Sequence, residues 1–270
     1  MKLNSPFPVA SIDNPFGGST GAVLAYYKSI GLDGHPGDDY EQDYGTPIPC
    51  AADCVVSSIL SEGNPDLMAF RAVNTIVEDS TGCFEVQYGH ISTTTVKVGQ
   101  QLKAGDIVAN VGNTGDVFSC NSLGCAEVTE AQKLAGSHAG SHLHFQVRVL
   151  IKVPVSQPQT PGSHYLNDGS GELVINGFKY LVPNFDNGFD GCVDPMAFFG
   201  ANSFVFNNNL FLGQNNTDVL QLQKRLGVYP QSGFFGTLTF AAVTRYQSAN
   251  GITPSGFVGP ITRARLNSTG

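Results

Sequence analysis

Charge is scarce in this chain. Only 13% of its 270 residues are Asp, Glu, Lys or Arg, about half the usual share. Together with 32 glycines, that scarcity speaks against a coiled coil or a long-helix protein and for short strands with many turns. Long apolar runs are also missing. No stretch approaches the roughly 18 apolar residues of a membrane span, and the most apolar one, VRVLIKVPV over 147–155, is broken by charge. The N-terminus has no apolar h-region, so no signal peptide is expected. Two readings follow: a leader already removed, or exit from the cell by another route such as phage lysis. The cysteines contain no C-x-x-C pair, which speaks against a structural zinc site. A net charge of −8 speaks against a whole-chain nucleic-acid binder.

What is present is enough to fold. Hydrophobic residues make up 41%, too many for a disordered polymer, and the length suits one or two domains. The charge is unevenly spread. From residue 201 onward there are five bases (Lys224, Arg225, Arg245, Arg263, Arg265) and one acid (Asp218), a balance of +4. The rest carries nine bases against 21 acids, a balance of −12. Such a split points to two units with different jobs. Of the six cysteines, Cys120 and Cys125 bracket a short loop with Gly124 that a disulfide could close. The even count fits an oxidising compartment; the other reading is free buried thiols.

Residues 46–149 read as strands, with β-branched or aromatic stretches starting at Val55, Thr75, Phe84 and Val96. Glycines 82, 89, 99, 105, 112 and 115 punctuate them as turns. The expected fold here is antiparallel β with short hairpins. From about 150 to 192 the chain becomes turn-rich. A hairpin is expected over 172–182, bent at Asn176-Gly177, as an elaboration of the first domain. The Asn-rich stretch 201–209 reads as a linker. The tail from 210 is helical. Val219, Leu222 and Leu226 share one helix face, with Thr217 or Asp218 as its cap. Ala242, Val243 and Tyr246 share a second face that stops at Asn250-Gly251. Pro260 opens a third helix. These make a small all-α three-helix domain.

Six histidines are present. His142 and His144 lie two apart in a strand-like segment, so both imidazoles face one surface while Leu143 and Phe145 face the other. His35 precedes Asp39 by four, in a loop with Pro36 and Gly37 rather than on a helix. His90 follows a strand in YGHI. Imidazole and carboxylate suit zinc, and three protein ligands leave an open position, which marks a catalytic site. A further imidazole within reach could act as general base or stabilise an oxyanion.

The blocks His35…Asp39, GTPIPCAADCVV from Gly45, YGH from Tyr88, VGQQLKAGDIVANVGNTG from Val98, SHLHFQV from Ser141 and VDP from Val193 occur in this order. The arrangement resembles the lysostaphin/LytM-type zinc endopeptidases of peptidoglycan over about 30–150. The resemblance implies a β-rich fold around an open groove. It implies Zn2+ on His35, Asp39 and His144, and non-ligand catalytic roles for His90 and His142. Asn113 and Tyr88 are candidates for lining the groove, whereas His138 and His164 read as loop residues. Two departures stand out. Fifty positions separate His144 from Asp194, an insertion that could wall or lid the groove, and the stretch from Gly115 to His142 is long. The tail blocks from Leu210, Gly233 and Ser255, with paired G-x-x-G turns at Gly233/Gly236 and Gly256/Gly259, resemble the three-helix peptidoglycan-binding domain.

The expected architecture is therefore multi-domain. A zinc metallopeptidase domain covers 1–200, with its core at about 30–150 and its elaboration at about 150–192. A linker follows at 201–209 and a peptidoglycan-binding domain at 210–270. The expected function is a zinc-dependent endopeptidase of bacterial peptidoglycan, a monomer outside the cell or at the wall, held there by its tail. Two rivals are a non-catalytic wall-binding or virion protein with a vestigial site, and a D-Ala-D-Ala carboxypeptidase. The latter needs a wider His-Asp spacing and a separate Glu, and Glu127 and Glu130 do not stand beside an H-x-H.

Overall fold

The computed structural model describes residues 2–80, 82–121, 124–135, 138–168, 170–199, 206–226, 228 and 232–268. The chain divides into two compact units, Met1–Phe199 and Gly200–Gly270. The first is rich in antiparallel sheet and the second is helical.

In chain order the first unit holds β1 (Ile12–Asn14), α1 (Gly21–Ser29), β2 (Asp38–Glu41), β3 (Pro47–Pro49), β4 (Cys54–Leu60), β5 (Ala72–Asp79), β6 (Gly82–Gly89), β7 (Ile91–Thr93), β8 (Gln101–Leu102) and β9 (Ile107–Val111). It continues with β10 (Phe118–Asn121), β11 (Gly124–Glu127), α2 (Glu130–Leu134), β12 (His142–Pro154), β13 (His164–Tyr165), β14 (Val174–Ile175), β15 (Phe178–Val182) and β16 (Cys192–Val193). The main sheet runs β1-β2-β12-β6-β5-β4-β8, and β3-β9-β7 form a smaller sheet. Strand β12 is its spine. It pairs with β2 and β6 near His144, with β16 at Val147, and with β15 from Ile151 onward.

Alternation along β12 separates two environments. Leu143, Phe145 and Val147 are fully buried in the main core with Tyr40, Tyr88 and Val86. Each such side chain contributes about 1.5–3 kcal/mol relative to an exposed one. The neighbours in between, His142, His144 and Gln146, point to the opposite face. A sheet that buries one face so thoroughly cannot slip register by one residue without burying imidazoles in that core, so the core itself fixes where the histidines point.

The stretch from Val96 to Val98 forms no strand and leads into a turn at Val98 and Gly99. Gln100 donates its backbone N–H to Lys97 and Gly99 to Val56, and Gly99 sits at φ +83°, which turns the chain before any ladder forms. The elaboration does form the expected hairpin. Asn176 and Gly177 have φ +51° and +80°, and β14 pairs β15 across them. That hairpin pairs with Ile151–Pro154 at the far end of β12, and seven residues of strand span about 23 Å. It therefore does not wall the histidine face. Of this elaboration, Gly188 reaches the loop that precedes His35, where it accepts the Asp33 N–H, and Phe189 packs on Phe16 in the segment between β1 and α1. Cys120 and Cys125 form a disulfide across β10-β11, while Cys50, Cys54, Cys83 and Cys192 are free and buried.

The second unit contains α3 (Thr217–Leu226), α4 (Thr237–Ala249) and α5 (Pro260–Ser268). Val219, Leu222, Phe235, Val243, Val258 and Leu266 form its core, against which Leu226 and Tyr246 pack. Asn216, rather than Thr217 or Asp218, caps α3: its Oδ1 accepts the Val219 N–H at 2.9 Å. Asp218 instead accepts from the Asn208 amide. Part of the stretch read as a linker, 201–205, lies outside the described residues. Phe206 in that stretch is buried in this core. Among the described residues, no helix is long and apolar enough to cross a membrane.

Candidate active site

Three ligand atoms converge on the histidine face. Register places His144 opposite Asp39 of β2 on one side and Gly89 of β6 on the other. The loop before β2 brings in His35. The His35 Nε2 lies 2.8 Å from His144 Nδ1 and 3.1 Å from Asp39 Oδ1, and His144 Nδ1 lies 2.9 Å from Asp39 Oδ1. His35 is fully buried, and Asp39 and His144 nearly so.

This closeness demands a glycine at position 37. A Cβ there would lie 2.5 Å from the Phe145 carbonyl oxygen and 2.9 Å from the His144 ring, so only the bare backbone lets the His35 loop approach β12.

The outward atoms of all three residues are occupied. His35 Nδ1 faces the Pro15 carbonyl at 3.4 Å. His144 Nε2 faces Gln146 Oε1 at 3.1 Å. Asp39 Oδ2 accepts from the Asn14 amide at 3.1 Å. An imidazole that donates outward turns its lone pair inward. His35 Nε2, His144 Nδ1 and Asp39 Oδ1 thus present three lone pairs to one another, which repel unless a cation lies among them. Tetrahedral zinc with bonds of about 2.0–2.1 Å spaces its ligands by about 3.3 Å, close to the separations found. The donor set, two imidazoles and a carboxylate with one position left for solvent, fits zinc.

The electrostatics agree. Burial alone would push the Asp39 carboxyl up, but the imidazoles of His35, His142 and His144 around it overcome that effect and hold Asp39 well below the usual carboxylate range. Burial lowers His35 below the ordinary imidazole value. Asp38, next in the chain, is pushed up to about 7 by burial, although it accepts the Phe16 N–H.

His90 and His142 stand beside the three. Their rings lie 4.4 Å apart, and His142 Nε2 is 3.6 Å from Asp39 Oδ1. Each uses Nδ1 on a backbone carbonyl, His90 on Thr114 at 2.5 Å and His142 on Gly140 at 2.8 Å. Both therefore offer Nε2 as a free acceptor. Burial, with His142 and His144 adding to it, holds His90 well below the ordinary imidazole value. His90 reaches this place with φ +57°, a left-handed turn at the end of β6 that few non-glycine residues adopt.

The structure thus gathers His35, Asp39, His144, His90 and His142. It does not bring Tyr88 or Asn113 to a groove. Tyr88 is fully buried in the core, where its hydroxyl accepts the Ala51 N–H. Asn113 is buried, and its amide donates to the Lys133 and Ala139 carbonyls. His138 stacks on Tyr44 and His164 packs on Phe185. Gln146, the partner of His144, escaped the sequence reading although it lies two residues on along the same strand face. Tyr27 on α1, packed on His35, and Phe70, edge-on to His90, carry no sequence signal.

Residues 33–158 match peptidase family M23, and residues 215–266 match a putative peptidoglycan binding domain. No curated protein matches the sequence. Among solved structures the chain is similar to LytU, at 28% identity over 55% of this chain and 79% of that one, with a TM-score of 0.36. It is also similar to the catalytic domain of the prophage-encoded M23 protein EnpA from Enterococcus faecalis, at 22% over 54% and 86%, with a TM-score of 0.34. A third is Csd3 of Helicobacter pylori, at 22% with a TM-score of 0.33; the match covers 55% of this chain and spans 30% of the length of that one.

Proposed function

We propose, from the premise that residues 33–158 are a peptidase family M23 domain and residues 215–266 a peptidoglycan-binding domain, that this chain is a zinc-dependent endopeptidase. Its substrate is the peptide portion of bacterial peptidoglycan, and its second domain tethers it to the wall. The observation that carries the reading is the convergence of three inward lone pairs beside two imidazoles with free Nε2 atoms.

His35 through Nε2, Asp39 through Oδ1 and His144 through Nδ1 would hold the ion. Zinc bound there supplies a Lewis acid that polarises a scissile carbonyl and makes water nucleophilic near neutral pH. The remaining work falls to the chain's own groups. Pro15, Gln146 and Asn14 orient the three ligands from behind. Thr114 and Gly140 hold the His90 and His142 rings by Nδ1–H. One free Nε2 would accept the proton of the attacking water and pass it to the leaving amine, and the other, after taking a proton from solvent, would donate to the developing oxyanion. A weak wall binder on the same chain raises the local concentration of an insoluble substrate. The basic balance of the tail suits the carboxylates of stem peptides. The proposed place of action is the wall or the extracellular space, the proposed state a monomer, and the proposed domain limits 1–200 and 210–270.

Purified peptidoglycan of known chemotypes tests the function. Digestion should convert cross-linked muropeptide dimers to monomers and stop when a chelator is added. Loss of only a terminal residue from each stem would mean a carboxypeptidase. No mass change with any chemotype would mean a wall binder without activity.

A further inference from the structure

The stretch between Gly115 and His142, long for the family it resembles, contains a buried cation. Lys133 of α2 is 1% exposed. Its Nζ donates to the Leu67 carbonyl at 3.3 Å, to the Gly115 carbonyl, and to Met68 Sδ at 3.3 Å. Its own backbone carbonyl accepts from the Asn113 amide at 3.3 Å. Both ends of Lys133 are thus tied to the loop over 113–115. Burial disfavours the ammonium, and the carboxylates of Asp116, Glu127, Asp66 and Glu130 oppose that effect.

That loop holds His90. The Thr114 carbonyl accepts from His90 Nδ1, and the same peptide unit ends in the Gly115 N–H, which donates to Leu67 at 2.9 Å. Gly115 has φ +76°, and a Cβ there would meet Phe70 at 3.0 Å. A glycine has no side chain to restrict its own torsions. The first peptide plane that flanks Gly115 is anchored also by the Thr114 side chain, whose Oγ1 donates to the Ile91 carbonyl and accepts the Arg71 N–H; the second is tied at its carbonyl by Lys133. Lys133 also shares the Leu67 carbonyl that receives the first. Without its ammonium, the buried Gly115 carbonyl loses its Lys133 donor, which is costly, while the Leu67 carbonyl keeps the Gly115 N–H. The Gly115 peptide can then turn toward another donor, and through the Gly115 torsions that turn displaces the Thr114 carbonyl from His90.

We propose that Lys133 is a positioning residue for His90, fixing the Gly115 peptide so that the Thr114 carbonyl holds His90 in its Nδ1–H tautomer with Nε2 free. The consequence for catalysis rests on the role given to His90 above; the tautomer does not.

The test compares the full zinc-loaded chain with Lys133→Met, using 15N-histidine NMR and turnover of a cross-linked muropeptide. The wild type should show a slowly exchanging His90 Nδ1–H signal, and its absence overturns the proposal. In Lys133→Met that signal should broaden or vanish, kcat should fall at least about tenfold, and KM should stay within about twofold, with zinc retained. Lys133→Arg, which keeps a cationic donor, should restore both the signal and kcat. A folded Lys133→Met with the signal intact overturns the proposal, whatever its kcat. If Lys133→Met does not fold, Lys133→Leu, neutral and without a donor, is read the same way. Loss of the signal with kcat unchanged would leave the positioning in place and remove His90 from the chemistry, so the two readings fail separately.

Discussion

His90→Ala and His142→Ala should each lower kcat by about 10²- to 10⁴-fold while the protein still binds one zinc per chain. The expectation follows from where the nitrogens point. Neither ring contributes one of the three converging atoms, since His90 and His142 spend Nδ1 on the Thr114 and Gly140 carbonyls. Removing either ring leaves His35, Asp39 and His144 with their outward partners intact. The double variant should lose little more than the worse single one, because base and oxyanion donor act as a unit. Metal analysis alongside muropeptide turnover checks this. A variant that loses zinc along with activity would make that histidine a ligand, and one that keeps full activity would take it out of the mechanism.

His35→Ala, Asp39→Ala and His144→Ala should instead lose zinc and activity together, with turnover at background. Asp39→Ala is the most severe case. Its carboxyl accepts from Asn14 and lies within 3.6 Å of three imidazoles, so its loss leaves the cluster without its one negative charge. Gln146→Leu should be milder. It removes the acceptor at 3.1 Å from His144 Nε2 and so frees the ring tautomer, which weakens metal affinity by about 10- to 100-fold. Chelator competition orders the four variants. Full wall-degrading activity in metal-free His144→Ala would contradict the whole scheme.

Much of the site was legible in the sequence because strands have period two. His142 and His144 had to share a face, and Leu143 and Phe145 had to share the other, once the segment was read as a strand. Tyr88, a candidate for lining the groove, does not share that face. It lies two residues before His90, but β6 ends at Gly89 and His90 turns away at φ +57°. The two side chains therefore part, and Tyr88 joins Phe145 in the core. The insertion after β12 was visible by length alone. Its position was not, because pairing at Ile151 rather than near His144 is a matter of tertiary register. The hairpin at Asn176-Gly177 was legible because its turn requires two positive φ values and those residues supply them. Lys133 was not: nothing in a five-residue helix signals that its ammonium serves a loop elsewhere in the chain.

The lone-pair geometry makes one claim more specific than zinc binding. It assigns the metal to Nδ1 of His144, with Nε2 turned to Gln146. Anomalous diffraction at the zinc edge on crystals of the full chain tests that directly. The account predicts a single strong peak bonded to His35 Nε2, Asp39 Oδ1 and His144 Nδ1. A peak bonded to His144 Nε2, a peak that recruits His90 or His142 in place of one of the three, or no peak from zinc-equilibrated crystals would contradict it.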